Sequence, residues 1–335
     1  DLHNGRRRQL QMCIRDRVGT DTVLDEADRA LIKGFLINKF RGDTTLFAEG
    51  MTIIERATGW QGVGILPWFP QARFLPAEDI LDIRGKSGDA RDGAPVRIAV
   101  PVLRRIANFD DLDPLAGETD VDVTLVEAGD VIPADADLIL LPGSKSTISD
   151  LTFLRDQGWD IDIAAHLRRG GMVMGLCGGY QMLGTKLDDP DGVEGPAGDT
   201  LGLGHLGVET VLAGDKRLTQ VTAHANAFDV PVRGYEIHMG RTGGPDCDRP
   251  FLTLDGRPEG AVSDDGTVIG TYLHGIFADD GFRRAFLDSL AARRGREGAF
   301  GEVDFDARVD ATLDELAAHM AVKLELDAFA GMAGL

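Results

Sequence analysis

Apolar and polar positions fall into a few long patterns. From Val18 the spacing is helical through Arg29, then changes to the apolar-rich run Leu31 to Phe40, closed by Arg41-Gly42-Asp43. A run of that kind, rich in Ile, Leu and Phe, predicts a strand buried on both faces. Helical spacing over Thr44 to Thr58 and a second strand-like segment at 62–68 complete one strand-helix-strand unit, too little to stand as a domain by itself. Residues 69–95 carry Pro70, Pro76, Pro95 and the run Arg84-Gly85-Lys86-Ser87-Gly88, which predicts a linker. Beyond it the pattern is that of a doubly wound α/β domain. Its strand candidates are Arg97 to Leu103, Val121 to Glu127, Leu138 to Leu141 and Met172 to Leu176, separated by helical stretches such as Ile148 to Arg155 and Ile161 to Arg168. A β-rich stretch follows from Leu201 to Phe277, then a helix from Asp279 to Arg293 and an amphipathic helix from Ala311 to Leu324, expected to pack on the domain surface.

Two turns of the α/β domain stand where such sheets bind ligands, at the carboxyl ends of the strands. One is Leu141-Pro142-Gly143-Ser144; the other is Gly175-Leu176-Cys177-Gly178-Gly179, between an apolar run and the helix-compatible Tyr180-Gln181-Met182-Leu183. The second reads as a nucleophile elbow with cysteine at its apex, since glycines on either side permit a strained strand-to-helix turn that lifts the side chain clear of the sheet. A sulfur at a helix N-terminus meets aligned N–H groups that favour the thiolate, which is the reactive form. The alternative is a buried core cysteine, but a core position needs side-chain volume, and glycines crowd this one. A thiolate attacking a carboxamide creates an oxyanion that needs fixed donors. Gly178 offers its backbone N–H directly after the nucleophile, and Gly143 offers another at the end of a neighbouring strand.

A cysteine amidase also needs an imidazole to take and return a proton. Of the seven histidines, His274 is the strongest candidate, because Gly270 to Phe277 reads as a strand ending in a turn with the small Gly275 beside the ring. His238 in Gly234-Tyr235-Glu236-Ile237-His238 is second, and Glu236 could orient a histidine or bind the ammonium group of a substrate.

Composition narrows the classes. At 335 residues two compact units are expected. With 55 acidic against 35 basic side chains the formal charge is -20, which repels a phosphate backbone and excludes nucleic acid as the expected partner. No apolar run reaches the roughly 20 residues of a membrane helix, and no signal peptide is seen, so a cytoplasmic protein without a membrane partner is expected. Cys13, Cys177 and Cys247 show no metal-ligand spacing, and no metal site is expected. Residues 1–17, with five arginines and no apolar periodicity, contrast with the acidic remainder. They read as a non-native leader, Gln11 to Arg17 having the look of translated sequencing adapter ahead of a truncated gene.

Taken together, Ile37 to Asp43, Leu141 to Leu151, Gly175 to Gly184, Gly234 to Gly240 and Gly270 to Phe277 resemble the glutamine amidotransferase domain of the cobyric acid synthases, a family of cobalamin biosynthesis. The resemblance runs from about Ala27 to Leu287. It implies a class I amidotransferase domain over 95–295, preceded over 18–85 by the remnant of a P-loop-like α/β synthetase domain and followed over 300–335 by a helical tail. In that family the first domain frees ammonia from glutamine, and the second uses ATP and magnesium to activate corrinoid carboxylates, four of them on adenosylcobyrinic a,c-diamide. Cys177 matches the family's nucleophile and His274 its histidine. Many class I enzymes place a glutamate two residues after that histidine; Ile276 stands there, so a Cys-His dyad is expected with no third member assigned. Asn38 and Lys39 resemble a purine-contacting segment, which a polar strand end explains equally well. No G-x-x-x-x-G-K-[ST] occurs, so ATP and magnesium are expected only with the complete synthetase domain, and no cofactor in the amidotransferase domain. Alternatives are a cobyrinic acid a,c-diamide synthase, the glutaminase subunit of another amide ligase, and a non-catalytic ligand-binding module. The ending Gly270 to Phe277 favours cobyric acid synthesis over the first, the upstream Ile37 to Asp43 counts against the second, and an intact cysteine and histidine against the third.

Overall fold

A computed structural model describes residues 2–76, 96–214, 217–298, 300 and 303–335, and the chain divides into two compact units. The expected linker is described only as far as residue 76, with a short 3-10 turn at Pro70–Phe74; its Gly85-Lys86-Ser87 run lies outside the described residues.

The first unit comprises residues 1–75 and 310–335. Its centre is a parallel pair, Gly34–Phe40 with Gln61–Pro67, joined through the 3-10 turn Thr44–Phe47 and the helix Ala48–Thr58. The Asp43 side chain caps the turn through the Thr45 amide, and Gly59 ends the helix in the left-handed conformation that lacks a steric penalty for glycine. Phe35, Ile37, Phe40, Phe47, Ile54 and Trp60 form the core. The expected strand thus starts at Gly34 rather than Leu31, because Glu26–Leu31 is helical and capped by Asp25. Helix Leu2–Val23 begins within the stretch read as a leader. The chain returns to this unit at residue 310, within helix Phe305–Lys323; Glu325 N then donates to Val63 O, and Leu324 bridges Gly64.

The second unit, residues 76–309, is built on a six-stranded sheet. Val121–Val126, Val96–Pro101, Leu138–Leu141, Met172–Leu176 and Val268–Thr271 run parallel in that spatial order, with Ala261–Val262 antiparallel at the edge. Leu138–Leu141 and Met172–Leu176 are buried throughout, which is why they read as unbroken apolar runs. Alternate residues feed two cores. Val96, Ile98, Leu138, Leu140, Met172 and Met174 share one with Phe282, Phe286 and Leu290 of helix Asp280–Arg293; Ile139, Leu141 and Val173 share the other with Leu151, Leu154, Trp159 and Ile163. Each such side chain contributes about 1.5–3 kcal/mol by leaving water.

A five-stranded antiparallel sheet holds Arg257–Glu259, Leu252–Leu254, Arg217–Ala225, Val230–His238 and Leu273–His274 in that order. The chain crosses from the parallel sheet to this one within three residues, from Thr271 to Leu273. The buried Glu259 carboxylate clamps the crossing, accepting from Thr271 Oγ1 and Tyr272 N, both at 2.7 Å. Burial holds that carboxyl above its usual range, at about 7, against the lowering effect of both hydrogen bonds. The strand beside the cysteine elbow is therefore the one that delivers His274.

Candidate active site

Cys177 follows the strand Met172–Leu176 and caps the six-residue helix Gly178–Leu183. Its backbone has φ 51° and ψ -106°, a conformation costly for a residue with a Cβ. Two fixed contacts impose it: Cys177 N donates to Thr271 O at 2.8 Å, and Gln181 N donates to Cys177 O at 3.1 Å. The flanking glycines are required by close approach. A Cβ on Gly175 would lie 2.5 Å from the Gly179 carbonyl carbon, and one on Gly179 would collide with Leu141 O. The half-buried sulfur lies 3.7 Å from Ile237 O.

His274 is fully buried. Its Nδ1 is 2.6 Å from Asp111 Oδ2, while Asp111 Oδ1 accepts from Gly275 N at 2.6 Å, so one carboxylate fixes both the ring and the turn after it. Nε2 is buried with no partner at hydrogen-bond geometry. Burial pushes the imidazole down, but the Asp111 carboxylate and then the Cys177 sulfur outweigh it and carry His274 up to about 10. The ring is thus a cation at neutral pH, with its free nitrogen available beside Cys177.

The Leu141 to Ser144 turn completes the arrangement. Strand Gly143–Ser144 pairs with Ile106–Ala107; a Cβ on Gly143 would stand 3.1 Å from His274 Cε1, and one on Gly178 would stand 2.9 Å from Ser144 N. The structure therefore brings Cys177, His274, Gly143 and Gly178 together. Buried Asp150 holds the turn, accepting from Ser144 Oγ at 2.6 Å and Arg105 N at 3.2 Å, and burial raises its pKa.

Of the other sequence candidates, Glu236 and His238 flank Ile237, whose carbonyl oxygen approaches the Cys177 sulfur. Tyr235 pairs with His274 across the antiparallel sheet and Glu236 with Leu273, so Glu236 points to the opposite face from His274. Glu236 forms an ion pair with Arg257 and does not orient His274. His238 stacks on Tyr272 with centroids 3.8 Å apart, its Nδ1 buried without a partner. Burial lowers its pKa, Arg257 and His274 adding to the fall against Glu236. Asn38 and Lys39 belong to the first unit, exposed near the end of the strand Gly34–Phe40; Lys39 has φ 54°, its amide bonded to Asn38 Oδ1 at 2.7 Å. Asp111 was not found by sequence reasoning. Its one signal is a pair of aspartates in a turn after the strand Val96–Pro101, at the carboxyl end of the sheet where functional loops gather.

A thiol on a strained elbow thus lies beside an imidazole anchored by a buried carboxylate, on a doubly wound sheet. Residues 97–282 match the family model of the CobB/CobQ-like glutamine amidotransferase domain, and the chain belongs to that family. The cobyric acid synthase of Ruegeria sp. (strain TM1040) is 54% identical over 327 residues, covering 98% of this chain and 64% of that protein. That of Rhodobacter capsulatus (strain ATCC BAA-309) is 56% identical over 317 residues, covering 94% and 64%. The chain spans just under two thirds of the length of these relatives. Among solved structures, PurLQS from Thermotoga maritima is 20% identical, covering 58% of this chain and 99% of that one with a TM-score of 0.45. Among the described residues no helix is long and apolar enough to cross a membrane.

Proposed function

We propose that this chain frees ammonia from glutamine at Cys177 and His274, and that the ammonia amidates corrinoid side-chain carboxylates on the path from adenosylcobyrinic a,c-diamide to cobyric acid. The observation that carries the first half is the geometry of His274, tied through Nδ1 to Asp111 and left with a free Nε2 beside Cys177. The second half rests on the similarity to proteins named cobyric acid synthase.

The chemistry follows from these groups. The Cys177 thiolate attacks the side-chain carboxamide carbon of glutamine, and the carbonyl oxygen takes up charge facing the Gly178 N–H and the Gly143 turn. The imidazolium gives its Nε2 proton to the amide nitrogen, the C–N bond breaks, and ammonia leaves a γ-glutamyl thioester on Cys177. Water, giving a proton to the now neutral Nε2, cleaves the thioester to glutamate and restores the pair. Asp111 stabilises the imidazolium throughout and fixes which nitrogen faces the sulfur. It thereby takes the place of the glutamate that Ile276 does not provide.

Activation of a carboxylate in the wider family is expected to use ATP and magnesium. No step is derived through them. The reading is tested by glutamate release from glutamine, expected for the purified chain and lost in Cys177→Ala. Equal release by both proteins, with the variant folded, overturns the assignment of Cys177.

A further inference from the structure

Two carboxylates, on the consecutive residues Asp110 and Asp111, lie close enough to His274 to act on its charge, yet only one can occupy Nδ1. We propose that Tyr235 is the positioning residue that sorts them: its ring sets the plane of the His274 imidazole, and its hydroxyl takes Asp110 aside so that Asp111 alone bonds to Nδ1. This rests on the reading of His274 as the proton donor and acceptor.

Tyr235 lies directly opposite His274 in the antiparallel pairing, and the two rings are stacked, 5.4 Å between centroids and 20° between planes. Glycines keep the pair close. Gly234 leaves no room for a Cβ beside His274 O, and Gly275, at φ 71°, would set a Cβ 3.4 Å from the Tyr235 ring. At its far end the phenol is used fully. The hydroxyl donates its one proton to Asp110 Oδ2 at 3.0 Å and accepts from Asn108 Nδ2 at 2.7 Å. Asn108 has φ 58°, a left-handed conformation that asparagine tolerates better than most residues, so the backbone is bent to present this side chain.

The electrostatics need such a device. Burial and then repulsion from Asp111 push the Asp110 carboxyl above its usual range, and the hydrogen bond from the Tyr235 hydroxyl does most to lower it again. Without that donor the best proton nearby is on Nδ1, where a second carboxylate would compete with Asp111. Tyr235 stays a donor at every working pH, because burial and then Asp111 and Asp110 drive its own pKa far upward. The titratable groups facing the imidazole are Asp110 and Asp111 on the turn, Cys177 on the elbow and Tyr235 on the strand, while His238, on the other face of that strand, acts only through its charge.

Simple aromatic packing is the competing explanation, and Tyr235→Phe separates the two by keeping the ring while removing the hydroxyl. On the whole chain we expect about tenfold lower kcat with glutamine KM within about twofold. Adding Asp110→Ala to Tyr235→Phe, which removes the competing carboxylate, should recover most of that loss. Independently of turnover, the far-downfield proton resonance of His274 Nδ1–H should be present in the wild type and shifted or lost in Tyr235→Phe. Wild-type kcat and resonance in Tyr235→Phe, or a Tyr235→Phe loss that the added Asp110→Ala does not relieve, overturn the proposal. If the wild type shows no Cys177-dependent release, the catalytic reading fails separately, and the resonance alone decides whether Tyr235 directs the Asp111 bond.

Discussion

Replacing Asp111 by asparagine keeps the size of the side chain while removing the charge on which His274 depends. The imidazole titrates at about 10 against an ordinary 6.5. That gap of about 3.5 pH units corresponds to something on the order of 5 kcal/mol favouring the imidazolium, produced by Asp111 and Cys177 against a burial effect of opposite sign. With Asp111 neutral, burial dominates, and the ring becomes a neutral imidazole at pH 7 whose tautomer is no longer dictated. The expected loss in kcat/KM is about 100- to 10,000-fold. The direction of the pH change is also fixed. A raised imidazole pKa keeps the proton donor charged as pH rises until about 10, so the variant's alkaline limb should fall to about pH 7 or lower. Asp111 is 2% exposed and occupied by His274 Nδ1 and Gly275 N, so glutamine KM should stay within about twofold. Glutamate release measured from about pH 6 to about pH 10 decides the matter. Wild-type kcat/KM with an unmoved alkaline limb would refute the assignment of Asp111.

Stability offers further tests. Glu259 binds its proton up to about pH 7 when folded and to about 4.5 when unfolded, so wild-type stability should fall as pH rises between those values, by about 3 kcal/mol in all. Glu259→Gln should remove that fall; denaturant melts at about pH 5 and about pH 8 that decline equally in both proteins contradict it. Cys177→Gly should abolish glutamate release yet stabilise the fold by about 1 kcal/mol, because glycine relieves the strained elbow; a lower melting temperature would show that no strain is stored there. Gly179→Ala should cost more than about 4 kcal/mol, since its Cβ meets the Leu141 carbonyl oxygen, and a soluble variant melting near the wild type argues against the close elbow.

The sheet strands were legible because they are buried on both faces: Leu138–Leu141 and Met172–Leu176 leave no polar positions to blur the pattern. The elbow was legible for the opposite reason, its glycines marking places where no side chain fits. Asp111 was not, because its partner is 163 residues away and its own neighbourhood is a turn without periodicity. The expected search position, two residues after His274, holds the fully buried Ile276, which joins the core shared with helix Asp280–Arg293. That Glu236 faces away from His274 was not legible, because alternation along a strand decides the face and the parity is visible only once Tyr235 is seen opposite His274. The helix expected over Thr44 to Thr58 divides at Phe47 into a 3-10 turn and an α-helix, a distinction apolar spacing does not carry.

In the proposed reaction Cys177 is the one activated thiol and glutamine reaches it. Cys13, Cys177 and Cys247 are all free and half-buried, and burial raises the pKa of Cys247. A glutamine analogue carrying an electrophile at the amide carbon, followed by peptide mapping by mass spectrometry, tests the claim most directly. A single adduct on Cys177 is expected, blocked by excess glutamine and slowed in Asp111→Asn. Modification spread over all three cysteines, or an adduct on Cys177 that glutamine does not prevent, would contradict it.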